Sequence, residues 1–138
     1  MAGAAMDEAS PAAPTCASWE CARGCDACCH LMVRVTPAEV DLLLPRVTAE
    51  IAARVRANAD VVRGLDAGAY RRARPPCAFL DTEGGCSVYD VRPVRCRSHV
   101  SSDVGVCRRV LAGEEPGGAV PGDPWLRAVA SAVQKGLG

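Results

Sequence analysis

The chain has 138 residues, with 16 acidic and 16 basic side chains, so its formal net charge is zero. This length fits one domain, and balanced charge gives no general attraction to nucleic acid or to an anionic membrane. No apolar run reaches the roughly 18 residues that span a bilayer, and the first fourteen residues contain no signal-peptide core. We therefore predict a cytoplasmic protein.

The sequence is rich in cysteine and poor in aromatic residues: it has nine cysteines and five aromatic side chains in total. In a reducing cytosol, clustered cysteines are metal ligands more often than disulfides. Residues 1–15 are rich in Ala and Pro without periodicity, so we predict a disordered tail there. Residues 16–138 then form one cysteine-cluster metal-binding domain, in which Cys16, at the edge, is expected to be dispensable.

The densest group of thiols lies in the stretch Cys21-Ala-Arg-Gly-Cys25-Asp-Ala-Cys28-Cys29-His30. The spacing from Cys25 to Cys28 lets one tight turn direct two thiolates at one metal. The side chains of the adjacent Cys28 and Cys29 diverge, which favours two metal atoms or opposite sides of a cluster. This group predicts metal binding without choosing the metal.

Two scaffold helices follow. Thr36-Pro37-Ala38-Glu39 is a capping box with proline at the first helical position, and Pro45 ends this helix near Leu44. A second helix is predicted from Thr48 to a stop at Gly64. Its apolar stripe is Ile51, Val55, Ala59 and Val62, and its predicted solvent side holds Arg54, Arg56 and Asn58.

A small β-hairpin is predicted between Cys77 and Asp90. Two short apolar runs flank Asp81–Gly85, and the paired glycines suit a tight connection. Cys77 and Cys86 would lie at the base of this hairpin or beside its turn.

Three further helices are predicted. Pro93 begins a short one carrying Cys96, with His99 on the same face as an added ligand or, the favoured alternative, a surface or capping residue. The next runs from Asp103 to Leu111, capped by Ser101 or Ser102, and turns Cys107 toward the core. Asp123-Pro124 opens the last, whose apolar stripe is Trp125, Val129 and Val133, with Leu126 and Ala130 beside it.

These elements predict a small α-rich (α+β) domain, in which short helices and the hairpin pack around a cysteine-ligated metal centre. The predicted thiolate ligands are Cys21, Cys25, Cys28, Cys29, Cys77, Cys86, Cys96 and Cys107. Neither half of the chain has a closed ligand set of its own, so we expect both halves to meet at one shared centre. All-sulfur ligation fits zinc, iron or an iron–sulfur cluster, leaves copper(I) open, and argues against magnesium and calcium.

Arginine is in local excess near the second group of cysteines, with eight arginines against four acids in residues 71–109. We predict that Arg92 and Arg97, with Tyr89 and Asp90, lie next to the ligands. Guanidinium groups there would offset the negative charge of the thiolates and lower the pKa of the thiols.

Several of these blocks resemble the YkgJ-like cysteine-cluster family, a proposed zinc- or iron-chelating domain named for its CxxCxxCC motif. The matching segments are Cys25-Asp-Ala-Cys28-Cys29, Cys77-Ala-Phe-Leu-Asp81, Gly85-Cys86-Ser-Val-Tyr89 and Tyr89-Asp-Val-Arg92-Pro93-Val-Arg-Cys96-Arg97. The resemblance covers roughly residues 21–109. The chain departs from the motif at Cys21, which is separated from Cys25 by three residues instead of two, and at Asp26, in place of a glycine. The resemblance implies zinc, iron or iron–sulfur binding without a settled activity.

Three function classes follow from the sequence. The favoured one is a metal-binding protein whose centre is structural, a carrier or a sink, because the thiol pattern is more specific than the charge pattern. The second is a redox or metalloenzyme component, although Asp26, His30, Tyr89 and Asp90 form no recognisable catalytic set. The third is a zinc-dependent adaptor for nucleic acid or protein that uses the arginine excess. The expected partners are a metal ion and, as an open alternative, a protein; a membrane is excluded and nucleic acid is disfavoured.

Overall fold

The computed structural model describes residues 19–114 and 120–137, and the predicted tail 1–15 and Cys16 lie outside these ranges. Of the described residues, 58% are helical. The α-helices are α1 (Pro37–Leu43), α2 (Ala49–Val62), α3 (Ala67–Ala73), α4 (Val94–Ser98), α5 (Val104–Ala112) and α6 (Pro124–Leu137). Short 3₁₀ turns form at Ala27–His30, Leu44–Arg46 and Tyr89–Val91. No helix in the described part of the chain combines the length and apolar character that crossing a bilayer requires.

The predicted helix starts at Thr36 and Thr48 are confirmed. The Glu39 N–H donates to Thr36 Oγ1 at 3.3 Å, and the Thr36 N–H donates to Glu39 Oε2 at 2.7 Å, which completes the capping box. Thr48 Oγ1 accepts from the Ile51 N–H at 3.2 Å. Each start depends on four neighbouring residues, so it can be read from a short stretch of sequence.

The predicted β-hairpin is wrong: residues 19–114 and 120–137 form no strand, only one isolated antiparallel bridge between Leu80 and Cys86. Asp81 Oδ1 accepts the N–H groups of Glu83 and Gly85 at 2.9 and 2.7 Å. The chain also turns just outside the bridge, because the Leu80 N–H donates to the Cys77 carbonyl at 3.0 Å. Both apolar runs are therefore taken up by turns and leave no length for a ladder. The α+β part of the predicted fold class is corrected to an all-helical arrangement of the described residues.

The predicted cap of α5 is also corrected. Asp103 caps this helix by accepting the Val106 N–H at 2.9 Å. Ser101, one of the two predicted caps, is instead fully buried and accepts the Asp103 N–H at 3.0 Å. A serine next to an aspartate offers the same cap chemistry, so the local sequence does not decide between them.

Two polar residues of α2 contact a neighbouring loop, contrary to their predicted place on the solvent side. Arg54 Nη1 donates to the Leu80 carbonyl at 2.6 Å, and Asn58 Nδ2 donates to the Pro76 carbonyl at 2.7 Å. Arg56 is exposed as predicted. The loop carrying Cys77 is thereby tied to α2 through its carbonyl groups.

The main core joins α6 to α4. Val94, Leu126 and Ala130 are almost completely buried, and Trp19, Val100, Val129 and Val133 pack around them. Trp125 is 39% exposed, so the apolar stripe of α6 is centred on Leu126 and Ala130 and not on the predicted Trp125. Because α4 carries Cys96, this core fixes the position of one cysteine.

The buried carboxylate of Glu39 links α1 to the same region. Glu39 Oε1 accepts the N–H of Val94, the first residue of α4, at 2.8 Å. The other oxygen, Oε2, contacts Gln134 Nε2 of α6 at 3.4 Å. One side chain therefore connects three helices and also caps α4 from outside.

Candidate metal centre

Seven cysteines line one cavity of about 390 Å³: Cys21, Cys25, Cys28, Cys29, Cys77, Cys86 and Cys96. The N-terminal thiols and the thiols of the second half therefore lie around the same space. Cys107 lines an adjoining cavity of about 270 Å³, and Cys28 lines this cavity as well. All eight of these cysteines are free thiols.

The two halves of the cysteine set are joined by backbone contacts. Cys28 and Cys29 lie on the 3₁₀ turn Ala27–His30, which packs against α5, the helix that carries Cys107. The Cys77 N–H donates to the Cys29 carbonyl at 2.7 Å. The thiols are thus brought together by contacts that are far apart in sequence.

Glycine permits a close approach between two loops at the cavity. Gly84 has φ +80°, and a Cβ placed on it would lie 3.6 Å from Asp26 Oδ2 and 3.7 Å from the Gly24 carbonyl oxygen. The loop that leads to Cys86 therefore lies against the loop that carries Cys25. A residue with a Cβ at position 84 would be strained by the positive φ, although its Cβ would make only ordinary van der Waals contacts there.

Cys21 belongs to a first group of thiols. Burial raises the pKa of Cys21, and the nearby thiols of Cys25, Cys28 and Cys107 raise it further. The Ser101 N–H donates to Cys21 Sγ at 3.1 Å and partly offsets these effects. A backbone N–H aimed at sulfur is a contact that stabilises a thiolate.

Cys28 and Cys29 share a hydrogen bond that separates their acidities. This bond lowers the pKa of Cys28 to about 7, with a further contribution from the Arg92 guanidinium. The same bond, together with burial, raises the pKa of Cys29 far above its ordinary value. Of these two thiols, Cys28 is therefore the one that ionises first and is the more available as a ligand.

A second group of thiols lies on the other side of Cys28. Burial raises the pKa of Cys96 to about 12, and Cys28, Cys77 and Cys86 add to the effect. Burial likewise raises the pKa of Cys86, with contributions from Cys77 and Cys28. Cys28 is thus a neighbour of both groups, whereas Cys107 is a neighbour of Cys21.

The thiols surround the cavity without converging on a point. Within residues 19–114 and 120–137, no three His, Cys, Asp or Glu side chains stand close enough together to hold one metal ion. A zinc–sulfur bond is about 2.3 Å long. The donor set fits a sulfur-loving metal chemically, and binding requires the sulfur atoms to move inward.

Arg92 lies at the wall of the cavity that seven thiols line. Its guanidinium lowers the pKa of Cys28 and opposes the rise at Cys86 and Cys96. Its carbon Cζ stands 3.7 Å from the centre of the Tyr89 ring, and Arg23 approaches the same ring at 5.1 Å. Tyr89 therefore positions Arg92 by a cation–π contact.

Arg97 and Asp90 occupy different positions from Arg92. The buried Arg97 donates from Nε to the Arg92 carbonyl at 3.2 Å and from Nη2 to the Asp90 carbonyl. Asp90 faces solvent in an ion pair with Arg46 at 2.7 Å, and the hydrogen bond from Arg46 lowers the pKa of Asp90. Arg97 thus holds the backbone from Asp90 to Arg92 and supports the residue that influences the thiols.

The two histidines are near the cysteines. His30 Nδ1 stands 3.1 Å from the Arg74 carbonyl, so this nitrogen carries the proton. His99 lines both cysteine cavities, and burial lowers its pKa. Sequence reasoning did not single out Arg23, and it placed Arg74 only in a basic triplet with Arg71 and Arg72, assigned to a solvated loop or helix end before Pro75-Pro76.

The geometry defines a cysteine-cluster domain in which thiols from residues 21–29 and 77–96 surround one cavity. The sequence model of the CxxCxxCC family, described as a proposed zinc- or iron-chelating domain, matches residues 20–114. The chain belongs to this family. The chain matches no curated protein and no solved structure.

Proposed function

We propose that this protein binds zinc, iron or an iron–sulfur cluster through the thiolates of Cys21, Cys25, Cys28, Cys29, Cys77, Cys86, Cys96 and Cys107. The observation that carries the proposal is the single cavity lined by seven of these free thiols. One buried cysteine commonly packs as a small apolar residue, but seven around one space follow the clustering that is typical of metal ligands.

We further propose a shared centre in which Cys28 contributes to two groups of ligands. Cys21, Cys25 and Cys107 lie on one side of it, and Cys29, Cys77, Cys86 and Cys96 lie on the other. A thiolate can bridge two metal atoms, and the pKa of Cys28 is lowered to about 7, which favours its thiolate form. This arrangement supports two metal atoms or a cluster in preference to one isolated ion.

The bound metal would crosslink chain segments that few apolar contacts join, and an iron–sulfur cluster would in addition hold an electron. Arg92 would offset the negative charge of the thiolates, while Arg97 would keep the backbone of Arg92 in place. We place the protein in a reducing compartment such as the cytoplasm, since the proposed ligands must remain free thiols.

The favoured role is a structural, carrier or storage centre. A redox component is the second candidate, supported by the aliphatic side chains of Leu31, Val33 and Val62 that line the same cavity as the thiols, since apolar groups beside a metal tune its redox potential. The adaptor role has less support, because Arg74, Arg92, Arg95 and Arg97 all make contacts within the protein.

Anaerobic purification followed by elemental analysis and visible absorption tests the proposal. The wild-type protein should hold zinc, or iron with the visible bands of a cluster, and Cys28→Ser should lose most of it. Cys16→Ser is the matched control and should keep the metal. A wild-type protein without bound metal, or a Cys28→Ser variant as fully loaded as wild type, would refute the proposal.

A further inference from the structure

Arg74 has an unusual backbone conformation for an arginine. Its φ is +40° and its ψ is +52°, and no other non-glycine residue in the described ranges has a positive φ. This left-handed conformation costs free energy for any residue with a Cβ, and glycine is the usual residue at such a helix end. The side chain of Arg74 must therefore provide contacts that offset this cost.

Those contacts close the ends of two helices. Arg74 Nη1 donates to the carbonyls of Val110 and Leu111 in the last turn of α5, and Nε donates to the Arg71 carbonyl in α3. Carbonyls in a last turn lack partners within the helix, and a cation at this end also interacts favourably with the helix dipole. The side chain therefore joins the ends of α3 and α5.

The backbone of Arg74 holds a third element. Its carbonyl accepts the Nδ1–H of His30 at 3.1 Å, and His30 ends the 3₁₀ turn that carries Cys28 and Cys29. Arg74 and His30 line the same cavity of about 270 Å³ as Cys28 and Cys107. One residue thus contacts both the turn with two predicted ligands and the helix with a third.

We propose that Arg74 is a positioning residue that clamps the Cys28–Cys29 turn to α5, so that Cys107 stays beside the N-terminal thiols. The consequence for ligation rests on the proposed metal-binding function, whereas the clamp is a property of the polypeptide and has its own readout. A simple cap would stabilise only the end of α5; the clamp stabilises that end and the distant turn together.

Hydrogen exchange on the protein as purified separates these roles. In Arg74→Gly, which suits the backbone conformation but lacks the side chain, exchange should rise roughly tenfold in both segments 27–31 and 108–113, as expected for loss of a charged hydrogen bond. Exchange in α2 should stay unchanged. The matched control Arg72→Ala, at an exposed arginine of α3, should change neither segment. A rise confined to 108–113, or no rise, would overturn the clamp.

A second variant covers the case in which Arg74→Gly does not fold. His30→Phe keeps a ring at this position and removes its N–H, so the clamp predicts faster exchange in the same two segments. Unchanged exchange at 108–113 in this variant would reject the clamp.

Metal retention in the presence of a chelator then tests the consequence for the ligands. Folded Arg74→Gly or His30→Phe should lose metal roughly tenfold faster than wild type. Wild-type retention in a variant with raised exchange would overturn the positioning role. If wild type itself holds no metal, the proposed function fails, and the exchange data still decide whether the clamp exists.

Discussion

The scaffold helices α1–α3 and α6 differ from the cysteine-bearing segments 19–35 and 77–107 in how they are stabilised. The scaffold helices begin with side-chain caps from Thr36, Thr48, Asp66 and Asp123, and α6 buries Leu126 and Ala130 completely. The cysteine-bearing segments are mainly short turns and loops around α4 and the start of α5, and arginine side chains bind several of their backbone carbonyls. The comparison indicates that the helices carry their own structure, whereas the region of the thiols depends on long-range contacts and, on the proposed function, on metal.

Metal removal should produce the largest difference in stability between the scaffold helices and the cysteine-bearing segments. Structural zinc contributes about 10–16 kcal/mol in small zinc-finger peptides, so chelation should lower the melting temperature sharply and reduce the helical circular dichroism signal. Hydrogen exchange should show the loss first in residues 77–98 and last in α2. An unchanged melting temperature after verified metal loss would contradict a metal-stabilised fold.

Leu126→Ala should have the next largest effect, because it opens the core between α6 and α4. We expect a loss of about 2–5 kcal/mol in the free energy of unfolding, measured by urea denaturation. Trp125→Ala is the matched control on the exposed side of α6 and should cost clearly less, since Trp125 is 39% exposed. A larger loss of stability in Trp125→Ala than in Leu126→Ala would instead support the apolar stripe predicted from the sequence, which includes Trp125.

Replacing Arg92 and Arg97 sharpens the comparison within the cysteine region. Arg92→Gln should weaken metal retention roughly 10- to 100-fold with a smaller effect on stability, because the guanidinium acts on the thiols directly. Arg97→Gln should lower both retention and stability, because the buried Arg97 holds two carbonyls. Chelator competition and urea denaturation measure the two effects, with exposed Arg56→Gln as control. Equal losses of metal retention and of stability in the two variants would show that Arg92 and Arg97 do not act in different ways.

Replacement of Glu39 should have the smallest effect on stability, and this effect should depend on pH in a defined way. Burial raises the pKa of Glu39, but hydrogen bonds from Thr36, Val94 and Gln134 outweigh it and leave the pKa below its ordinary value of 4.5. Because the folded pKa is the lower one, this stabilisation is present above pH 4.5 and is lost as the pH falls through the folded pKa.

Glu39→Gln should therefore cost about 1–3 kcal/mol at pH 7, the range for a buried donor left without its partner. The difference between wild type and this variant should shrink below pH 4.5 in urea denaturation. Comparing the two proteins cancels the effect of acid on the thiols, which they share. A difference that stays constant down to pH 3 would contradict the role of the carboxylate.

The parts of the fold that sequence predicted are those fixed by neighbouring residues. The capping box at Thr36 and the Asp123-Pro124 start of α6 act within one turn of helix, and both were predicted. The family was also identified, because cysteine spacing is a local pattern with few alternative explanations, while the role of the eight thiols as ligands stays a prediction.

The hairpin failed because two glycines suit a tight turn whichever way the flanking chain continues. Asp81 accepts the turn amides itself, and the segments on either side turn away from a ladder. Arg54 and Asn58 were predicted to face solvent for a related reason. A polar side chain on an amphipathic helix is normally assigned to the solvent side, because the sequence does not show which loop carbonyls lie opposite it. The contacts of Arg74 were not predicted, because its partners, Val110 and Leu111, are far along the chain.

The hydrogen bond from the Cys77 N–H to the Cys29 carbonyl bears on the order of folding. Residues 30–76, with α1–α3, form the loop that this bond closes, and the entropy of closing a long loop is lost before its contacts compensate. The thiols of the two halves therefore meet late, after the helices inside the loop have formed. During synthesis the first cysteines emerge well before their partners, so a metal that needs both halves is captured at the end of folding.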